Sequence, residues 1–250
     1  MKINKISVGN GAEAGYTLRD AVNPLLPYDG FNACHYTNDS SCHVKHCREE
    51  LCATLNVADG HLIIPRQTHS SNVMVIDSPL TESELPEGVD ALVTAKRGMT
   101  LCVNTADCVP VVLNDPESGV VGICHAGWRG VVNGVVENTV EAMRTIGADT
   151  TQMHAAMGPC ICCECFEVGT EVAEKFAHIP GTVMESNLWP KPHVDLATAI
   201  AHILSSKLNL DPDNITMPPE CTMHSWQSLF SARRMGLNSG RVLTYIRLAK

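Results

Sequence analysis

Between residues 62 and 124 the chain is cut into six short runs rich in β-branched residues: Leu62-Ile-Ile, Val73-Met-Val-Ile, Ala91-Leu-Val-Thr, Leu101-Cys-Val, Val109-Pro-Val-Val-Leu and Val120-Val-Gly-Ile-Cys. Runs this short suit strands, and so many in succession demand sheets. The period then changes. Val132, Val135, Val136, Val140 and Met143 recur at helical spacing and Gly147 follows as a stop, which predicts a helix over 129–146. The spacing of Val44, Leu51 and Leu55 predicts an earlier helix over 44–56, and residues 9–43, rich in Gly, Asn, Asp and Pro, read as loops with short strands. The second half alternates in the same way. Met153-His-Ala-Ala-Met reads as a strand, 167–177 as a helix, and Leu196, Ile200, Ile203, Leu204 and Leu208 as one helical face capped by Asp195. Arg241-Val-Leu-Thr-Tyr-Ile-Arg closes as a strand. No linker interrupts the pattern, so residues 1–250 are expected to form a single α/β domain with mixed sheets.

Composition narrows the functional classes. The formal net charge is −9, which argues against a nucleic-acid-binding surface, although a local basic pocket could still take phosphate. No stretch approaches the roughly 20 apolar residues that span a bilayer, and the first ten residues lack the apolar core of a signal peptide. Twelve cysteines in a chain of this length, without export features, suggest free thiols in a reducing cytoplasm.

Three segments bring reactive side chains to strand ends: Pro65-Arg-Gln-Thr-His-Ser-Ser, Asn104-Thr-Ala-Asp-Cys-Val-Pro and Cys124-His-Ala-Gly-Trp-Arg-Gly. Strand ends are where α/β proteins gather their sites. Together they offer imidazole, thiolate, carboxylate and guanidinium. By spacing alone His69, Cys108 and His125 form no compact ligand motif, and buried cysteines and histidines more often serve packing and hydrogen bonding.

Read together, Gln67-Thr-His69, Thr105-Ala-Asp-Cys108-Val-Pro110 and His125-Ala-Gly-Trp-Arg-Gly130 resemble the signatures of the laccase-domain family, also called the polyphenol oxidase or purine nucleoside phosphorylase family. The similarity continues through Met157-Gly-Pro-Cys-Ile, Phe166-Glu-Val-Gly169, Cys221-Thr and Phe230-Ser-Ala-Arg-Arg234. The resemblance implies one zinc held by His69, Cys108 and His125, a set whose donors also suit copper. It implies phosphorolysis of adenosine, inosine and methylthioadenosine, with deamination of adenosine as a second activity, so the expected partners are a purine nucleoside and phosphate. It also implies a four-layer α/β/β/α fold with mixed sheets, similar to the catalytic domain of cytotoxic necrotizing factor.

Within that frame Arg129 is the candidate for phosphate, at the start of a helix whose N-terminus favours anions, against a structural ion pair as the plainer reading. Asp107 is the candidate to orient His69 or His125 or to carry a proton; if Cys108 continues a strand, Asp107 faces the other way and is structural. Gln67 is expected to support His69 from the same strand face, and Trp128 to pack. The family's N-terminal Ser-Thr-Arg before Gly-Gly is not found: Ser7-Val-Gly-Asn-Gly11 takes its place without the arginine, and Ser70 replaces a glycine after Gln-x-His. Cys160, Cys162, Cys163 and Cys165 have the composition of a second metal cluster, but the resemblance, whose members carry cysteines near this place without a known metal, favours free thiols. The competing functions are a cysteine hydrolase with Cys108 as nucleophile and His125 as base, a copper-dependent polyphenol oxidase, and a metal-binding or redox-sensing protein without turnover.

Overall fold

The computed structural model describes residues 1–58, 60–187 and 189–249. In chain order its strands are β1 (Ile3–Ile6), β2 (Ala12–Thr17), β3 (Leu62–Ile63), β4 (Val73–Val75), β5 (Ala91–Thr94), β6 (Thr100–Thr105), β7 (Val109–Asp115), β8 (Val120–Ala126), β9 (His154–Met157), β10 (Val183–Met184), β11 (His193–Val194), β12 (Ile215–Thr216) and β13 (Val242–Leu248). The α-helices are α1 (Ser41–Leu55), α2 (Trp128–Val132), α3 (Val135–Thr145), α4 (Thr170–Ala173), α5 (Leu196–His202) and α6 (Ala232–Met235).

Two mixed sheets carry the fold. One runs β1-β2-β13-β6-β3 and the other β12-β9-β7-β8-β5-β4. The period-2 alternation of each strand splits its side chains between two layers. On β6, Leu101 and Val103 enter the space between the sheets, while Cys102 turns outward to Leu51 and Leu55 of α1. On β8, Val121 and Ile123 face the first sheet, while Val120 and Cys124 face away, toward Val136, Val140 and Met143 of α3 and Leu196 and Ile200 of α5. Helix α1 thus lies against the outer face of the first sheet and α3 and α5 against that of the second, and the expectation of an α/β fold with mixed sheets holds.

Several elements differ from the sequence reading. The helix expected over 129–146 is two helices, because Gly134 adopts φ 84° between them; that left-handed turn suits glycine and ends a right-handed helix. The helix expected over 167–177 shrinks to α4. The helix begun by Asp195 passes at Ile203–Lys207 into a wider π turn. Helix α1 starts at Ser41, three residues before the predicted Val44. Among the described residues no helix is long and apolar enough to cross a membrane.

Candidate metal centre

The hairpin β7–β8 does most of the positioning. Its register pairs Val109 with Ala126 and Pro110 with His125, so Cys108 lies just beyond the strand end beside His125. His125 shares strand parity with Val121 and Ile123, and its ring therefore enters the inter-sheet layer at the open end of the hairpin. Strand β5 lies on the other side of β8, with Ala91 opposite Cys124, and the His125 amide donates to the Asp90 carbonyl at 2.8 Å. His69 comes from the loop after β3. The ligand atoms of His69, Cys108 and His125 lie within 4.8 Å of one another, and Cys108 Sγ is 3.8 Å from His69 Nε2.

These residues fit a metal ion. One sulfur and two imidazole nitrogens are borderline-soft donors suited to zinc or copper, and three of them leave a tetrahedral ion one position for another ligand. The neighbourhood is shaped around them: a Cβ at Gly127 would meet both Cys108 Sγ and His69 Cδ2 at 2.9 Å. His125 is buried and His69 exposed, so the centre has a closed side and a side open to solvent.

Asp90, which the sequence reading missed, organises the centre. Its Oδ1 lies 2.7 Å from His125 Nδ1, which leaves Nε2 of that ring to face Cys108 and His69. The amides of Thr68, His69 and Ser70 donate to its carboxylate at 3.0, 3.0 and 2.8 Å. These bonds hold His69 in the left-handed region at φ 61°, a costly conformation for a residue with a Cβ. Ser70 Oγ adds a fourth donor at 2.8 Å, which a glycine at this position lacks. Burial would raise the Asp90 carboxyl, but the charge and hydrogen bond of His125 and these donors outweigh it and hold it at about 2. Burial would likewise raise the Cys108 thiol, yet His125 and then His69 pull it down to about 6. Burial opposes charge on His125, and Cys108 and Asp90 overcome that and raise it to about 9. A carboxylate placed before a strand was the only sequence signal for Asp90, since its partners come from separate segments.

Asp107 stands elsewhere. It has φ 89° and lies outside any strand. Its Oδ1 accepts from Thr222 Oγ1 at 2.7 Å and its Oδ2 from the Arg233 amide at 2.6 Å. The duty of orienting His125 belongs to Asp90, and the carboxylate of Asp107 ties down the 222–233 segment instead. Gln67 is not a support for the His69 ring either. It bridges to β6, donating to the Asn104 carbonyl at 2.8 Å and accepting from the Asn104 amide at 2.7 Å.

Arg129 is exposed, and its guanidinium stacks on the half-buried Trp128 ring at 4.2 Å. The guanidinium makes no hydrogen bond or ion pair to another described residue. Helix α2 has only five residues, too short for the dipole invoked from sequence, so any anion contact rests on the guanidinium itself.

The segment Ser7–Gly11 is remote from the centre. Asn114 at the far end of β7 donates to the carbonyls of Val8 and Asn10 at 3.0 and 2.7 Å, and six strand residues place Asn114 roughly 20 Å from Cys108. An arginine placed in that segment would not reach the centre. Arg19, which the sequence reading passed over, is fully buried after β2 and donates to the carbonyls of Leu26, Asp29 and Trp226. A cavity of about 970 Å³ lies against α1, lined in part by His35, Lys45 and Arg48, and contains none of the three ligands.

Comparison with known proteins agrees with the motifs. The family profile described as multi-copper polyphenol oxidoreductase laccase matches residues 13–249. A protein from an unknown prokaryotic organism named adenosine deaminase RL5 is 42% identical over 94% of this chain and 94% of its own. A Streptomyces coelicolor protein named purine nucleoside phosphorylase SCO2081 is 36% identical over 95% of this chain and 96% of its own. The crystal structure of YlmD from Geobacillus stearothermophilus superposes with a TM-score of 0.86 at 25% identity, covering 96% of this chain and 93% of that one. That of the Bacillus licheniformis hypothetical protein YfiH does so with 0.87 at 24%, covering 96% and 94%, and supports the fold alone.

Proposed function

Because the chain belongs to the multi-copper polyphenol oxidoreductase laccase family, whose relatives carry nucleoside-enzyme names, we propose that it is a zinc-dependent purine nucleoside phosphorylase acting on adenosine, inosine and methylthioadenosine, with adenosine deamination as a second activity. The observation that carries the reading is the convergence of His69, Cys108 and His125 on one point with a solvent-facing side. A zinc ion bound there supplies a Lewis acid with one exchangeable position. His125 is kept in a single orientation by Asp90, and His69 by the amide fan on the same carboxylate. Arg129, stacked on Trp128 and otherwise unpaired among the described residues, is the phosphate-binding group, through two N–H donors. Asp107 is proposed to position Cys108 rather than to move a proton. We place the protein in the reducing cytoplasm, the compartment that suits its twelve free cysteines.

The test is to follow inosine and adenosine with and without phosphate. Inosine cleavage should require phosphate and release ribose 1-phosphate. Arg129→Ala should raise the KM for phosphate about tenfold, the low end for a charged hydrogen bond because the guanidinium is exposed. Deamination uses water and needs no anion site, so it should change little. Cleavage of inosine at full rate without phosphate rejects the phosphorylase reading.

One observation favours a second reading. Asp90, His125 and Cys108 stand in the order of a cysteine-hydrolase triad, with the thiol lowered to about 6. Amide hydrolysis by metal-stripped protein, abolished when zinc is restored, is the signature of that alternative.

A further inference from the structure

A second group of soft donors lies outside the centre described above. The donor atoms of Cys162, Cys165, Cys221 and His224 are all within 4.8 Å of one another. Cys165 Sγ is 3.2 Å from His224 Nε2, and the Cys162 amide donates to Cys221 Sγ at 3.3 Å. Two turns of equal spacing supply them, Cys162-x-x-Cys165 and Cys221-x-x-His224. The first turn closes with Cys165 N–H on the Cys162 carbonyl at 3.1 Å, the second with Ser225 N–H on the Cys221 carbonyl at 2.9 Å. The turns are held side by side by a parallel bridge between Cys160 and Cys221, with Thr222 N–H on the Cys160 carbonyl at 2.9 Å. The family resemblance favoured free thiols at Cys162 and Cys165 over a metal cluster, and their partners Cys221 and His224 lie 59 residues away in the chain.

We propose that Cys162, Cys165, Cys221 and His224 form a second, structural zinc site. Three thiolates and one imidazole are a closed tetrahedral set, with no position left for substrate, in contrast to the three-ligand centre. Donors around one zinc at about 2.3 Å stand about 3.8 Å apart, so the observed spacing closes with a small movement of side chains. The three sulfurs are half-buried, and His224 is the exposed outer ligand.

Asp107 gives the site its consequence. Its carbonyl accepts from Ile161 N–H at 2.9 Å and its Oδ1 from Thr222 Oγ1 at 2.7 Å. Ile161 adjoins the ligand Cys162, Thr222 adjoins the ligand Cys221, and Asp107 itself adjoins Cys108. A metal joining the two turns therefore locks both neighbours onto Asp107 and fixes the strained residue that presents Cys108. The zinc buttresses the first centre without touching it.

Zinc should be counted by mass spectrometry in full-length protein purified under reducing conditions with zinc present. Wild type should carry two equivalents, the double variant Cys165→Ser/His224→Ala no more than one, and His125→Ala one, held at the second site. Cobalt exchanged into folded wild type should show the strong thiolate-to-metal charge transfer of a three-sulfur site, and the His125→Ala protein should keep it. A single equivalent in wild type that vanishes in His125→Ala overturns the proposal. So does a cobalt spectrum with only one thiolate's intensity, which needs no variant to fold. A disulfide among Cys162, Cys165 and Cys221 in that same protein overturns it too. None of these readouts involves nucleoside turnover, so they stand apart from the fate of the phosphorylase reading.

Discussion

At the residue scale the centre turns on one carboxylate. Asp90 is fully buried, yet its two oxygens serve His125 Nδ1, three consecutive amides and the Ser70 hydroxyl. Replacing it with asparagine keeps the volume and one acceptor oxygen but puts an N–H₂ group among donors. The variant Asp90→Asn should fold and bind zinc at the three-ligand centre roughly 10- to 100-fold more weakly, the usual loss when a ligand's hydrogen-bonding support is removed. Competition against a chromophoric chelator measures this. Unchanged affinity would mean that packing alone holds the two imidazoles. None of this was readable at Asp90, because Thr68, His69, Ser70 and His125 all arrive from other parts of the chain.

At the element scale local signals worked where a single residue decides. Asp195 was expected to begin a helix, and its side chain accepts from the Thr198 amide at 2.9 Å at the start of α5. Removing the cap in Asp195→Ala should cost about 1 kcal/mol in urea denaturation while zinc content stays the same. A cost near zero would show that the packing of Leu196 and Ile200 fixes the helix start without it. Apolar spacing worked less well over 129–146. Val132, counted in the helical spacing, is exposed, and the valine that α2 buries is Val131, so the face shifts by one residue at the Gly134 break and the spacing Val132–Val135–Val136 hid it. The chain uses that break to turn from the mouth of the centre, at Trp128, onto the outer face of the second sheet.

At the scale of the whole molecule, the layer between the sheets connects stability to the centre. Ile63, Leu92, Leu101, Val103, Val112, Val121, Ile123 and Ile246 meet there, all fully buried. Ile123 lies on β8 two residues before His125 and on the same face. Ile123→Ala should lower stability by about 2–5 kcal/mol, the usual range for emptying a close-packed site. It should also weaken zinc binding at the three-ligand centre, which a parallel titration would register. A loss well below 1 kcal/mol would mean that the layer collapses around the gap. Leu51→Ala in the outer layer under α1 is the control: comparable destabilisation, with zinc affinity retained, separates global stability from support of the centre.

Most of the architecture was legible because alternation and helical period are local properties that burial writes into neighbouring residues. The six apolar runs, the closing strand at Val242–Leu248, the cap at Asp195 and the family signatures around His69, Cys108 and His125 all belong to that class. Tertiary structure decided what depends on residues far apart in the chain. It gave Asp90 rather than Asp107 to His125, turned Gln67 toward Asn104 and placed Ser7–Gly11 far from the centre. It also brought Cys221 and His224 to Cys162 and Cys165. Hydrogen bonds and metal coordination are short-ranged in space and indifferent to sequence separation, so only the folded chain reveals which donors meet.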